Sequence, residues 1–143
     1  MITKEEGLVL ATEEVYDVAV VGSGAAGYSA AVQAAWAGLS TVVFQSFESG
    51  GQLMLSDRME NYPGLGEGTT GPELADAMEE QAIRLGAQMH QGSVVRVDLS
   101  GHSFKLWAEG EEGSTPARTV IVATLEELLE MKREFPELPW PGR

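Results

Sequence analysis

The sequence predicts an α/β fold whose first unit is a strand, a glycine-rich turn, a helix and a second strand. Residues 17–27 read DVAVVGSGAAG, and the apolar, β-branched run at 18–21 is typical of a strand covered on both faces. The alanines that follow the turn predict a helix of small residues, and residues 41–44 (TVVF) form a second apolar strand pattern. This order of elements predicts a βαβ unit with parallel strands.

The turn after the first strand has the spacing G-x-G-x-x-G, in which each glycine has its own role. Gly22 permits a tight turn, Gly24 lets the backbone approach a pyrophosphate, and Gly27 lets the helix pack closely on the strand. The helix N-terminus offers unpaired N–H groups and a positive dipole end to phosphate. The sequence therefore predicts a dinucleotide site made by Gly22, Ser23, Gly24, Ala25, Ala26 and Gly27.

The end of the second strand bears on which dinucleotide is bound. An acidic side chain there usually accepts hydrogen bonds from the ribose, whereas a 2′-phosphate calls for arginine. Here the position is Gln45, which can bond a ribose hydroxyl more weakly, and Glu48 nearby is an alternative. No Lys or Arg follows before Arg58, which argues against NADP and leaves FAD and NAD open.

Three further motifs carry a resemblance to a known family. GGQLM at 50–54, ENYPG at 60–64 and TGPEL at 70–74 follow the glycine turn in order. In this order and approximate spacing, residues 16–124 resemble the low-molecular-weight thioredoxin reductases. These are FAD enzymes in which an NADPH domain interrupts the FAD domain in sequence. The resemblance implies FAD as the cofactor of this chain, with NADPH used only by the complete family enzyme.

The resemblance also implies residue roles and a fold. Gly22, Gly24 and Gly27 would hold the FAD pyrophosphate. The flavin–ribityl side would be lined by Gly51, Gln52 and Leu53, and Asn61 would approach the isoalloxazine. We expect a Rossmann-like FAD-binding βαβ fold with a small antiparallel meander. The pattern places that meander at 88–91, 94–99 and 104–107, before a last strand at 117–124.

The sequence also predicts a helix before the meander. Thr70 and Glu73 have the spacing of a capping box, with Pro72 in the first turn, and Gly86 ends this helix.

The chain departs from the family in ways that limit its expected chemistry. It has no cysteine, whereas disulfide reduction in this family passes through a C-x-x-C pair. A second glycine-rich fingerprint for NADPH is missing too, so we predict no catalytic residue in this chain. Leu125 stands where the family strand ends in Ala-Thr-Gly. We interpret the chain as an incomplete, split FAD domain.

Three segments are expected along the chain. Residues 1–15 read as a flexible leader and residues 16–124 as the first half of the FAD domain. Residues 125–143 read as an unrelated tail, with an amphipathic helix that ends before Pro136 and a proline-rich terminus. This tail could lie over the sheet or dock another chain.

The composition limits the classes of partner that this chain can bind. A formal net charge of −13 excludes nucleic acid, because its phosphates would be repelled. No apolar run is long enough to span a bilayer and the acidic leader is no signal peptide, so we expect a cytoplasmic protein without membrane contact. His90 and His102 stand alone in the sequence, and no metal site is predicted.

Two functions are compatible with these patterns, and a third is not. The first is the FAD-binding segment of a thioredoxin-reductase-like oxidoreductase, not competent alone. The second is a non-catalytic flavin module completed by a second polypeptide or by homo-oligomerisation. The third, a serine hydrolase using Ser23, fails on spacing, because a nucleophile elbow needs G-x-S-x-G.

Overall fold

The computed structural model describes residues 14–46, 49–124 and 132–137. Within these residues the chain forms six strands and two α-helices. In chain order they are β1 (Tyr16–Val21), α1 (Ala25–Trp36), β2 (Thr41–Gln45), α2 (Gly71–Arg84), β3 (Gln88–Gln91), β4 (Val94–Asp98), β5 (Phe104–Ala108) and β6 (Thr115–Val122). A short 3-10 helix, Gly51–Leu55, lies between β2 and α2. The strand–turn–helix–strand unit predicted from the sequence is confirmed.

All six strands belong to one sheet in the order β3-β2-β1-β6-β5-β4. The pairs β1–β2, β1–β6 and β2–β3 are parallel, and the pairs β4–β5 and β5–β6 are antiparallel. β6 therefore belongs both to the parallel part of the sheet and to the antiparallel meander. This mixed α/β sheet has the Rossmann-like architecture expected from the sequence.

The membership of the meander differs from the prediction in one strand. We expected the segment at 88–91 to be part of the meander, but β3 pairs in parallel with β2 through Val43–Met89 and Phe44–His90. The reason is topological: α2 carries the chain back along the sheet, and such a crossover returns the next strand parallel to the first. The meander consists of β4, β5 and β6.

The sheet is packed on both faces, and the two faces use different partners. On one face, Val18, Val20 and Val43 pack against α1 and against the end of α2 at Ala82. The opposite face is a cluster that we call the meander core. It joins β1 and β2 to the meander and consists of Ala19, Val21, Val42, Phe44, Val94, Val97, Leu106, Ala108 and Ala117. The helices thus pack on one face, and side chains of β1, β2 and the meander pack together on the other.

Local signals define both ends of α2 as predicted. Thr70 is the N-cap and its Oγ1 accepts a hydrogen bond from the Glu73 N–H at 3.3 Å, while Glu73 Oε2 accepts from the Thr70 N–H at 2.9 Å. This reciprocal pair is the capping box expected from the sequence, with Pro72 in the first turn. Gly86, with φ of +105°, follows the C-cap residue Leu85.

The two terminal segments are described only in part. The predicted leader lies outside the described residues up to position 13, and the predicted tail lies outside them at 125–131 and 138–143. Residues 132–134 are helical, and the half-buried Phe135 packs against the meander core. Across the described residues, no helix combines the length and apolarity needed to cross a bilayer.

Candidate dinucleotide-binding site

The glycine turn after β1 is formed as the sequence predicted. Gly22 has φ of +111°, a conformation that L side chains rarely adopt, and its N–H donates to the carbonyl of Phe44 at 3.0 Å. A Cβ atom at position 27 would overlap the carbonyl oxygen of Gly22, so only glycine lets α1 pack this closely on the turn. The predicted structural roles of Gly22 and Gly27 are confirmed.

The middle glycine of the turn differs from its two neighbours because it is not crowded. Gly24 has ordinary extended backbone angles, and a Cβ atom placed there would meet no heavy atom within 4 Å. Gly24 is also the N-cap of α1, with no side-chain cap and no acidic residue in the first helical turn. The backbone at this point therefore faces open space, and its close approach to a ligand stays a prediction.

The first turn of α1 has the chemistry of an anion site. The N–H groups at the start of an α-helix have no partner within the helix, and here the first α-helical bond runs from the Tyr28 N–H to the Gly24 carbonyl. The N–H groups of Ala25, Ala26 and Gly27 precede that bond. With no carboxylate in this turn, the helix dipole and these donors favour a bound anion such as a pyrophosphate.

A second glycine pair lies against the turn. The Gly50 N–H donates to the Ser23 carbonyl at 3.0 Å, and a Cβ atom at Gly51 would lie 3.4 Å from the Gly24 Cα. Gly50 and Gly51 both have positive φ, so this approach depends on glycine at each position. The structure thus places Gly51 next to Gly24. From the sequence, this proximity was expected only through the family resemblance.

The three remaining residues implied by the resemblance have different surroundings. Gln52 and Asn61 have exposed side chains. Leu53 is buried, and its side chain packs with Tyr28 and Leu74 in a core cluster. The 3-10 helix is held by α2, since the Gly71 N–H donates to the Ser56 carbonyl at 2.8 Å. The Leu53 side chain is therefore used in the core, and the part of Leu53 in a ligand site stays a prediction.

Gln45 occupies a different environment from the one expected of a ribose ligand. Its side chain is fully buried at the carboxyl end of β2, with an exposure of 0%. Its Nε2 donates to Tyr28 Oη at 2.9 Å and to Glu79 Oε1 at 2.7 Å, and its Oε1 accepts from Gln91 Nε2 at 2.6 Å. Both N–H donors of the amide are used within the protein. The alternative ribose ligand, Glu48, lies outside the described residues.

The buried phenol beside Gln45 has an altered acidity. Burial raises the pKa of Tyr28 to about 12, and the negative charge of Glu79 adds to the effect. The hydrogen bond from Gln45 acts in the opposite direction. Ser23 is buried as well, whereas a hydrolase nucleophile is exposed on its turn.

One residue beside the glycine turn was not among the predicted site residues. Thr124 follows β6, and its side chain lies against Gly22. Its Oγ1 atom is buried and has no hydrogen-bond partner among the described residues. The sequence signal that could have identified it is its place directly after a strand, since ligands of open α/β sheets bind outside the carboxyl ends of the strands.

These features together fit a dinucleotide. Three features lie at one edge of the parallel strands. They are the open space outside Gly24, the helix N–H donors with no acidic residue in their turn, and the Thr124 hydroxyl, which has no partner in the part of the chain that the structure describes. No group of three metal-ligating side chains occurs among the described residues. The site therefore offers backbone donors to an anion.

Comparison with known proteins gives the family. Residues 16–124 match the profile of the pyridine nucleotide-disulphide oxidoreductases. The thioredoxin reductase of Mycolicibacterium smegmatis is 46% identical over 112 residues, which are 78% of this chain and 35% of that protein. Thioredoxin reductase 1 of Saccharomyces cerevisiae is 38% identical over 114 residues, covering 75% of this chain and 36% of the relative.

Comparison with solved structures also identifies thioredoxin reductases as similar to this chain. The crystal structure of thioredoxin reductase from Streptococcus pyogenes superposes with a TM-score of 0.72 at 34% identity, over 79% of this chain and 36% of that one. A thioredoxin reductase from Gloeobacter violaceus gives a TM-score of 0.71 at 31% identity, over 76% of this chain and 34% of that one. The chain spans about a third of the length of these relatives. It belongs to the pyridine nucleotide-disulphide oxidoreductase family and corresponds to a thioredoxin-reductase-like FAD-binding domain.

Proposed function

We propose that this chain binds FAD at the edge formed by the glycine turn, the first turn of α1 and Gly51. The observation that carries the proposal is the open, uncapped backbone at Gly24, set between two glycines that the fold itself requires. FAD is the cofactor of the family, and a dinucleotide pyrophosphate is an anion of the kind that such a turn binds.

Each part of the cofactor has a proposed contact. The pyrophosphate would lie against the backbone N–H groups of Gly24, Ala25 and Ala26. The ribityl chain and flavin would lie along Gly51 and Gln52, with Asn61 beside the isoalloxazine. Gln45 is left out of this set, because its amide is enclosed by Tyr28 and Glu79 and is used there.

The chemistry of the bound cofactor would be the acceptance and release of a hydride. This chain's residues bind and orient it through backbone donors at Gly24 and Gly51. We propose that the chain does not by itself pass electrons to a disulfide, because its sequence contains no cysteine and one glycine-rich fingerprint. Reduction of thioredoxin, the activity in the names of its relatives, would then need residues from outside this sequence.

A second candidate is a flavin module without turnover that another polypeptide, or a second copy of the chain, completes. One observation favours a further segment packed on this part of the sheet. β6 is an inner strand, between β1 and β5, yet Val120, Ile121 and Val122 at its end are only half-buried. Inner strands of α/β sheets are normally covered on both faces. A covering segment at this end would also lie beside Thr124.

Equilibrium titration of the purified chain tests the proposal. Calorimetry and flavin fluorescence would be used with FAD, and calorimetry with NAD, at the same protein concentration. We expect saturable binding of FAD and weaker binding of NAD. Tighter binding of NAD, or no binding of FAD, would contradict the proposal. Adding NADPH to the FAD-loaded chain should leave the flavin absorbance unchanged, because the one glycine-rich fingerprint is assigned to FAD, and bleaching would show that the chain uses nicotinamide by itself.

A further inference from the structure

Met54 combines an oxidisable sulfur atom with access to solvent. It lies in the 3-10 helix Gly51–Leu55, and its exposure is 47%. Among the methionines that the structure describes, Met78 is buried and Met59 and Met89 are half-buried, so Met54 is the most open to a dissolved reagent. Because the chain has no cysteine, thioethers are its only sulfur groups.

The sulfur atom of Met54 also lies against a buried glycine. A Cβ atom at Gly50 would lie 2.7 Å from Met54 Sδ and 3.2 Å from the Cβ atom of Ala75 in α2. Gly50 itself is buried. The thioether on one side and α2 on the other therefore enclose its backbone.

Gly50 connects Met54 to the dinucleotide site. Its N–H donates to the Ser23 carbonyl at 3.0 Å, and a Cβ atom on the next residue, Gly51, would lie 3.4 Å from the Gly24 Cα. Both glycines have positive φ and no side chain of their own. Since glycine backbone is conformationally permissive, its position here depends on the groups packed against it, and Met54 is one of them.

We propose that Met54 is an oxidation site, at which hydrogen peroxide converts the thioether to a sulfoxide and thereby weakens the binding of FAD. An S–O bond forms at Met54 Sδ, the O–O bond of the peroxide breaks and water is released. The sulfur loses an electron pair and the peroxide gains it. The weaker binding rests on the proposed binding of FAD, whereas the oxidation itself does not.

The expected effect on the site follows from the polarity of the product. A thioether is apolar and polarizable, whereas a sulfoxide is polar and is costly to bury without a hydrogen-bond donor. The N–H of Gly50 is already bonded to Ser23. Since Met54 is half exposed, its oxidised side chain can turn to water, and Gly50 then loses the packing that keeps it against the glycine turn.

Peptide mass mapping tests the selectivity of the oxidation. The purified chain is treated briefly with dilute hydrogen peroxide, and the methionine-containing peptides are followed with time. We expect Met54 to gain an oxygen atom faster than Met59, Met89 and the buried Met78, because its sulfur is the most accessible of these. Oxidation of Met54 no faster than that of Met78 would overturn the proposal.

Met54→Leu and Met59→Leu are a matched pair for the effect on binding. Each exchanges a thioether for an apolar side chain of similar volume, and Met59 packs against the core cluster of Tyr28 and Leu53. The FAD dissociation constant of each protein is measured before and after peroxide, so that each is compared with itself. We expect a rise of about threefold to tenfold for wild type and for Met59→Leu, the effect of one weakened hydrogen bond. Met54→Leu should show no rise.

Two results of this comparison would overturn the proposal. One is an unchanged dissociation constant in oxidised wild type, and the other is an equal rise in Met54→Leu. Met1 and Met131, which lie outside the described residues, are present in every protein compared and do not account for a difference between them. Methionine sulfoxide reductases acting on both epimers should restore the constant. A constant that stays high after mass mapping shows the restored thioether would overturn the proposal too.

The ligand-free protein gives a readout that does not depend on FAD. In amide ¹H–¹⁵N spectra, peroxide should shift the signals of Gly50 and Gly51 in wild type and leave them in place in Met54→Leu. If the wild-type chain bound no FAD, the proposed function would fail, and these spectra would still decide whether Met54 controls the glycine pair. Unchanged Gly50 and Gly51 signals in oxidised wild type would overturn the inference.

Discussion

Gly27 lies so close to the carbonyl oxygen of Gly22 that a Cβ atom at position 27 would overlap it. Three residues away in the same turn, Gly24 has no heavy atom within 4 Å of the position its Cβ would take. The outer glycines of the turn are therefore required by the fold, whereas the middle one is free to serve a ligand. This contrast allows folding and binding to be tested separately within a single motif.

Gly24→Val should abolish FAD binding and leave the fold intact. The backbone at position 24 is extended, with φ of −81° and ψ of −174°, which valine adopts readily. Its side chain would fill the space through which a pyrophosphate reaches the loop. Circular dichroism and urea unfolding check the fold, and calorimetry checks FAD binding. A folded variant with unchanged affinity would show that the turn is structural only.

Gly27→Ala should have the opposite effect and destabilise the protein. The added methyl group would push α1 away from the carbonyl oxygen of Gly22, which belongs to backbone and cannot move independently. Overpacking of this kind costs about 1–3 kcal/mol, so the free energy of unfolding should fall by about that amount. Urea unfolding measures it, with Gly38→Asn as a control on the exposed turn after α1. A stability loss no larger than that of the control would contradict the packing described for α1.

Alkaline pH should destabilise the fold through Tyr28. An exposed tyrosine ionises near pH 10, whereas burial raises the pKa of Tyr28 to about 12 in the folded protein. The unfolded chain therefore loses this proton first, and stability falls as the pH rises from about 10 to about 12. Below pH 10 the phenol is neutral in both states and has no such effect.

The Tyr28→Phe variant isolates this pH dependence. Urea unfolding of wild type and variant at a series of pH values from 8 to 11 should show a steeper loss above pH 10 for wild type than for the variant. The phenolate absorbance of the folded wild type should also show one tyrosine that titrates near pH 12. Parallel stability curves for the two proteins would contradict the burial of this hydroxyl.

The order of the local elements could be predicted from the sequence because its signals are local. The glycine turn, the capping box at Thr70 and Glu73, and the helix end at Gly86 each depend on residues within one or two turns of chain. Propensity and backbone geometry decide such features without any long-range contact. Their prediction needed no knowledge of which strands pair.

Features that depend on distant contacts could not be predicted in the same way. β3 is a polar, four-residue edge strand whose pairing with β2 is set by the path of α2. Gln45 follows the pattern of a ribose ligand, yet its burial depends on Glu79 and Gln91, which lie 34 and 46 residues further along the chain. No local pattern reveals that these side chains meet.

Phe135→Ala should reduce stability, because Phe135 packs against the meander core from outside the region of family resemblance. Truncating a half-buried phenylalanine removes roughly 1–2 kcal/mol of apolar burial. Urea unfolding measures the loss, and Glu137→Ala, at an exposed neighbour, is the matched control. Equal stability of Phe135→Ala and the control would mean that this part of the tail is not needed by the sheet.

The chain alone should not reduce a disulfide, although it belongs to a family named for that reaction. Transfer to a protein disulfide needs a reactive thiolate pair, and this sequence contains no cysteine. Delivery of a hydride also requires a nicotinamide held against the flavin, and the one glycine-rich fingerprint, at Gly22–Gly27, is assigned to FAD. The assay is NADPH oxidation coupled to thioredoxin and a chromogenic disulfide, with the Gly24→Val variant as the control for flavin-dependent signal. A slow oxidase signal without thioredoxin is compatible with the prediction, because free flavin produces one. Thioredoxin-dependent turnover at an ordinary enzyme rate, about 1–1000 per second, by the purified single chain would falsify it.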